Sequence, residues 1–168
     1  MHRILLIIVA CLALAVAGCG SDSSTSTSDE TSTTAEQPAE TTESTEEKTK
    51  PEVTPPQGAP PKKLVVEDLE EGTGPAAKAG DEVTVQYVGI DYKTGKQFDA
   101  SWDRGEPLSF PLGANEVIPG WEKGVEGMKV GGRRELVIPP DLAYGAQEVG
   151  PIAPNSTLVF VVDLLAIK

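Results

Sequence analysis

The chain has 168 residues, 39% of them hydrophobic, which is room for one domain with a tail but not for two sizeable cores. With 14 Lys and Arg against 26 Asp and Glu its net charge is −12, a balance that repels phosphate backbones and argues against nucleic-acid binding. The single His, His2, and both cysteines, Cys11 and Cys19, fall within the first twenty residues, so removal of that segment would take nearly all His and Cys chemistry with it.

In chain order, Arg3 supplies a short positive start and Ile4 to Ala17 carries no charge. That length suits the apolar core of a secretion signal and is short for a membrane-spanning helix. Val16-Ala17-Gly18-Cys19 follows at once and resembles a bacterial lipobox, in which small residues fit the peptidase cleft and the cysteine thiol takes a diacylglyceryl group. Residues 1–18 are therefore expected to be a lipoprotein signal peptide, with Cys19 as the lipidated first residue of an extracytoplasmic protein anchored to the bacterial cell membrane. The mature chain would then hold no histidine, free thiol or disulfide, which excludes Cys–His and Ser–His–Asp catalysis and any His- or Cys-ligated metal. No cofactor is expected.

Residues 19–63 read as a tether. Positions 21–50 hold 16 Ser or Thr, and Pro51, Pro55, Pro56, Pro60 and Pro61 come next. Such a stretch lacks the apolar surface needed to offset chain entropy, so disorder is expected through Lys63. As a flexible coil it would span roughly 35–40 Å. Distance from a membrane is the plain meaning of this composition, with O-glycosylation or contact with a basic surface as lesser readings.

Residues 64–168 form the domain. Leu64-Val65-Val66 reads as a short strand, and Asp81–Gly89 alternates, with Val83, Val85 and Tyr87 on one face. Asp91–Lys96 reads as a hairpin loop, Gln97-Phe98-Asp99 as the return strand and Leu108-Ser109-Phe110 as another strand. Behind Pro119, a good first-turn residue, Trp121, Val125 and Met128 recur at helical spacing, and Gly124 and Gly127 are expected to keep that helix short. Glu135–Ile138 and Thr157–Ile167 complete the strands. The sum is an α+β domain, an antiparallel sheet folded over one helix.

Acid chemistry is poorly supported. Asp99, Asp103 and Glu106 lack the alternate spacing of a calcium loop, and Arg104 between them suggests internal pairing, so no metal site is expected. A carboxylate pair could hydrolyse glycosides, but a domain this small leaves little room for a sugar cleft. Asn155-Ser156-Thr157 matches a glycosylation sequon, and reads more simply as a turn before the last strand. What remains is aromatic: Tyr87, Phe98, Phe110, Trp121, Tyr144 and Phe160, which composition alone would assign to a small core.

The order of motifs changes that assignment. Gln86-Tyr87-Val88-Gly89, Gly95-Lys96-Gln97-Phe98-Asp99-Ala100-Ser101, Val117-Ile118-Pro119-Gly120-Trp121-Glu122-Lys123-Gly124-Val125, Gly132-Arg133-Arg134-Glu135-Leu136-Val137-Ile138-Pro139 through Ala143-Tyr144-Gly145-Ala146, and Asn155-Ser156-Thr157-Leu158-Val159-Phe160 together resemble the FKBP-type peptidyl-prolyl isomerases over essentially all of residues 64–168. The resemblance implies a five- to six-stranded antiparallel half-barrel wrapped on one short helix, with the substrate pocket between them. It implies Trp121 as the pocket floor, and walls of Tyr87, Phe98, Phe110, Phe160, Val117 and Ile118. It also implies donors to substrate carbonyls from the Tyr144 hydroxyl and the Ile118 N–H, Asp99 as the polar wall residue with Arg104 as its partner, and Ile152 on an overhanging loop. Tyr87, Asp99, Trp121 and Tyr144 would be the catalytic set.

Three departures bear on substrate choice. Leu108 stands where many members carry an aromatic, the Gly145–Asn155 loop is slightly shorter and has no His, and Trp102 occupies a variable position expected at the pocket rim. The activity implied is X–Pro isomerisation in proline-containing peptides and unfolded secreted proteins, by a monomer, with macrolide ligands of the family as competitors. The alternative is a non-catalytic proline-peptide binding module tethered at the membrane. Decayed modules tend to lose the Trp, Tyr or Asp, and all four residues of the implied set stand here.

Overall fold

The structure is a computed structural model, and it describes residues 48–168. Six strands form one antiparallel sheet: β1 Val65–Glu70, β2 Glu82–Asp91, β3 Gln97–Ala100, β4 Leu108–Pro111, β5 Arg133–Ile138 and β6 Leu158–Ile167. The strand order is β1-β5-β6-β2-β3, and β4 pairs with β2 on the same side as β3. Between β3 and β4 lies a single helical turn, α1 Ser101–Arg104, and between β4 and β5 lies α2 Pro119–Val125. The α+β half-barrel expected from the sequence is the fold observed.

The long strand β2 organises the sheet. Its first half pairs with β4, its second half with β3, and its whole length with β6. Val83, Val85 and Tyr87 alternate onto the inner face and are all buried, with the inner residues of β5 and β6, Leu136, Ile138, Leu158, Phe160 and Val162. Helix α2 closes that face with Trp121 and Val125.

Helix and sheet approach very closely. A Cβ built at Gly124 would lie 2.6 Å from the Leu136 side chain, and one at Gly120 would collide with Ile138. These two glycines, one turn apart on the same face, let α2 settle onto β5. Gly124 therefore serves packing within the helix rather than ending it, and Met128, expected to extend the helical stripe, is a core residue beyond the helix. Arg134 stitches the same region: it donates to the Gly124 carbonyl at 2.8 Å, at the end of α2 where carbonyls lack helical partners, and forms two bonds to Asp68 of β1 at 2.6 and 3.0 Å.

The outer face of the sheet is also apolar, with Val88, Ile90, Tyr92, Ala100, Val137 and Val159 buried there. Its cover comes from an unexpected source and corrects the expectation of disorder through Lys63. Residues 48–63 contain no helix or strand, in keeping with their prolines, but they run along the domain as a strap. Val53 packs against the outer cluster, Lys50 meets Asp103 at 2.5 Å and Arg133 donates to the Thr49 carbonyl at 2.9 Å. Arg133 in turn holds the buried Asp163 through two bonds, at 2.7 and 2.8 Å. Composition argues only about what a segment can bury alone; here an apolar sheet face supplies the missing surface. The remainder of the tether, residues 19–47, and the signal segment lie outside the described residues.

Introducing a charge at Val53 tests the strap. Val53→Asp in the full chain is expected to lower stability by roughly 1 kcal/mol, the scale for a half-buried valine, while kcat/KM stays unchanged. An unaltered Tm on thermal denaturation would show that the strap is no part of the folded unit.

Candidate functional site

A cavity of about 560 Å³ opens between the inner face of the sheet and the N-terminal end of α2. Ile118 stands at the helix N-cap with Pro119 at the first turn, so the helix starts sharply and throws Trp121 inward. The Trp121 ring, 4% exposed, forms the floor. Tyr87 from β2 meets it edge-on at 5.0 Å between ring centroids, and Phe160 from β6 does so at 5.3 Å. Phe98 from β3 stands edge-on to Phe160 at 5.5 Å. Edge-to-face contacts of this kind fix ring orientation beyond area burial. Gly89 makes room for them: a Cβ there would lie 2.7 Å from both the Phe98 and Phe160 rings.

One wall is polar. The Tyr87 hydroxyl donates to the Asp99 carboxylate, Arg104 of α1 ion-pairs with the same carboxylate, and Arg104 also donates to the Tyr87 oxygen at 2.9 Å. The guanidinium carbon sits 5.6 Å from the centre of the Tyr87 ring, within cation–π range. The three groups close a ring of hydrogen bonds that holds Asp99 at the pocket edge. Ser101, fully buried, accepts from the Tyr87 N–H at 2.7 Å and locks α1 against β2.

Two donors are left free. Among the described residues no group is hydrogen-bonded to the Tyr144 hydroxyl, and the Ile118 N–H has no acceptor. Burial raises the Tyr144 phenol above the ordinary tyrosine range, and the negative charge of Asp99 adds to it. Burial likewise raises Tyr87, with the hydrogen bond to Asp99 contributing. Both phenols therefore stay protonated, and Tyr144 is a neutral donor at neutral pH.

Of the residues singled out from the sequence, Tyr87, Phe98, Asp99, Leu108, Val117, Ile118, Trp121, Tyr144, Ile152 and Phe160 line this cavity. Two do not. Phe110, 3% exposed, lies two residues beyond Leu108 on β4, where its ring packs on Trp121 at 5.8 Å and supports the floor from behind. Arg104 acts through Asp99 and Tyr87 from outside the cavity. Trp102, expected at the rim, packs against the outer cluster instead, because the single turn of α1 points it to the opposite side of the sheet from Asp99. Asp99, Asp103 and Glu106 do not converge: Asp99 holds Arg104, and Asp103 meets Lys50 and Gln97. Among the described residues no cluster of three or more His, Cys, Asp or Glu is found. Cys19 lies outside them.

Sequence reasoning passed over several contributors. Glu116 and the turn Val149-Gly150-Pro151 line the cavity beside the expected residues. Val149 and Ile152 exchange backbone bonds at 3.1 and 3.0 Å, which shapes that turn and sets Ile152 over the site. Glu122 accepts from the Gly113 N–H, and from the Asn115 N–H at 2.8 Å, so it anchors the loop that carries Val117 and Ile118. Only its place one residue after Trp121 pointed to it, and position alone does not reveal a loop anchor.

Comparison with known proteins agrees with this geometry. Residues 74–165 match the FKBP-type peptidyl-prolyl cis-trans isomerase family. An FK506-binding protein of Streptomyces anulatus is 58% identical over 120 residues, which is 70% of this chain and 97% of that protein. A probable FK506-binding protein of Corynebacterium glutamicum is 50% identical over 117 residues, 70% of this chain and 98% of the relative. The crystal structure of FkpA from Escherichia coli is similar with a TM-score of 0.58 at 53% identity, over 62% of this chain and 48% of FkpA. That of AtFKBP13 gives 0.59 at 38% identity, over 62% of this chain and 93% of the neighbour. By the match of its folded part, and by relatives that it covers almost end to end, the chain belongs to the FKBP-type peptidyl-prolyl cis-trans isomerase family.

Proposed function

We propose that this chain is a lipid-anchored prolyl isomerase that works as a monomer, without a cofactor, on unfolded secreted or envelope proteins outside a bacterial membrane. The observation that carries the catalytic part is a buried aromatic floor at Trp121 flanked by two donors unpaired among the described residues, the Tyr144 hydroxyl and the Ile118 N–H. Resonance sets a barrier of about 18–20 kcal/mol to rotation about a peptide bond, and X–Pro bonds interconvert over tens of seconds or more although their isomers are nearly balanced.

Isomerisation needs no nucleophile and no proton relay. The planar amide is charge-separated and well hydrated, whereas the twisted amide has lost resonance and is less polar. A pocket of Trp121, Phe98, Phe160 and Tyr87 therefore favours the twisted form, which is differential binding of the transition state. The two donors hold the flanking carbonyls in the turned geometry. An acceleration of about 10⁵ requires roughly 7 kcal/mol from these effects together. Relatives named as FK506-binding proteins support a further expectation, that macrolides mimicking a prolyl dicarbonyl compete with peptide here. The support for membrane anchoring is the run Val16-Ala17-Gly18-Cys19 at the end of an uncharged apolar segment.

Tyr144→Phe removes one donor and is expected to lower kcat/KM about two- to tenfold, the scale of one net hydrogen bond. Asp99→Ala leaves Arg104 and Tyr87 without their shared acceptor and is expected to cost at least as much, with Tm little changed in both variants. Protease-coupled or NMR exchange assays on X–Pro peptides read both; peptide binding without turnover by the parent chain would instead indicate a binding module. The pH profile is a separate check. Tyr87 and Tyr144 are shifted upward, away from neutrality, so their donors persist, and kcat/KM is expected to be flat from about pH 6 to 8 and indifferent to EDTA. A bell centred near pH 7 would reveal acid–base chemistry. For the anchor, Cys19→Ser is expected to move the protein from the membrane to the soluble fraction or to leave it unprocessed, and unchanged fractionation and processing would refute lipidation.

A further inference from the structure

Phe98 is one wall of the cavity over Trp121. A second cavity, of about 270 Å³, lies on the other side of Phe98, Pro151 and Ile152, which line both. Its remaining walls come from the β2–β3 hairpin loop, with Asp91, Lys93 and Lys96, and from the segment that leads into β6, with Asn155 and Ser156. A peptide whose proline sits on Trp121 can leave the first cavity across this shared wall.

The charges of the second cavity are unequal. Asp91 is engaged inside its own loop: its carboxylate accepts from the Thr94 N–H and hydroxyl, both at 2.8 Å, and from the Lys93 N–H at 3.1 Å. It holds the turn. Lys93 and Lys96 are exposed and form no ion pair with any described residue. Two unpaired ammonium groups thus outweigh one committed carboxylate, in a chain whose net charge is −12. The first cavity has the opposite bias at its rim, where Glu116 is exposed and likewise unpaired among described residues.

The geometry points to a second substrate subsite at Lys93 and Lys96 that takes an acidic side chain flanking the proline. The inference rests on the isomerase reading, because it uses the bound proline to place the flanking residue. Short-range attraction to the two ammonium groups favours Glu or Asp there, and Glu116 across the shared wall disfavours the reversed placement. Opposite charges that meet at an exposed site are worth a small factor and are screened by salt.

The test is a peptide panel with one X–Pro core in which the residue two positions before or two positions after proline is Ala, Glu or Lys. For the parent chain at low ionic strength, Glu on one side is expected to raise kcat/KM about two- to fivefold over Ala, with Lys below Ala, and the spread should shrink in about 0.5 M salt. In K93Q/K96Q the Glu preference should disappear while the Ala peptide turns over as before. K78Q, which removes a lysine outside both cavities, should keep the preference. Equal rates for Glu, Ala and Lys peptides, or a preference that survives in K93Q/K96Q, would overturn the subsite and leave the isomerase reading intact. Failure to turn over any peptide would overturn that reading and the subsite with it.

Discussion

The close seating of α2 on β5 governs the functional geometry. A helix normally stands off a sheet by the size of its side chains, but Gly120 and Gly124 give Ile138 and Leu136 direct access to the helix backbone. The helix is seven residues long and could not persist alone. Its position is set by that contact, by Val125 in the core and by Arg134 on its last carbonyls. Trp121 is thereby delivered at a depth where its ring meets Tyr87 and Phe160 edge-on, and the cavity above it is what remains between a helix held low and a curved sheet.

The polar wall follows a different logic. Partly exposed ion pairs contribute little stability by themselves, and the Arg104–Asp99 pair matters for what it positions. With Asp99 saturated by Arg104 and Tyr87, the Tyr144 hydroxyl is not drawn to a neighbour and stays available. Donors that are already oriented need no rearrangement when an amide twists, which is the advantage of a preorganised site. On the other side of the cavity, Glu122 holds the loop before α2 through the Gly113 and Asn115 N–H groups.

The fold was legible where periodicity was long enough to read. Alternation along β2 and the heavy apolar run of β6 announced themselves, and Pro119 marked the start of α2. The single turn α1 escaped because four residues cannot display a helical period. Its direction decided the fate of Trp102, which packs on the outer cluster and does not line the cavity. The strap itself escaped because propensity and composition describe a segment in isolation, whereas Val53 is ordered by the apolar face that it meets.

Sequence alone determined the strand pattern, the start of the helix and, through the ordered motifs, the family together with the aromatic floor and most of the walls of the cavity, though not Glu116 or the turn Val149-Gly150-Pro151. Those are properties of residue type and spacing along the chain. The tertiary structure decided which of these side chains reach the cavity surface. Phe110 and Leu108 are two apart on one strand, yet one is sealed behind Trp121 and the other lines the cavity. It also decided that Val53, ahead of Leu64, packs on the outer face of the sheet, and that two lysines of a hairpin turn line a cavity sharing Phe98, Pro151 and Ile152 with the one over Trp121. Such facts depend on which surfaces meet across long sequence separations, and no local pattern encodes them.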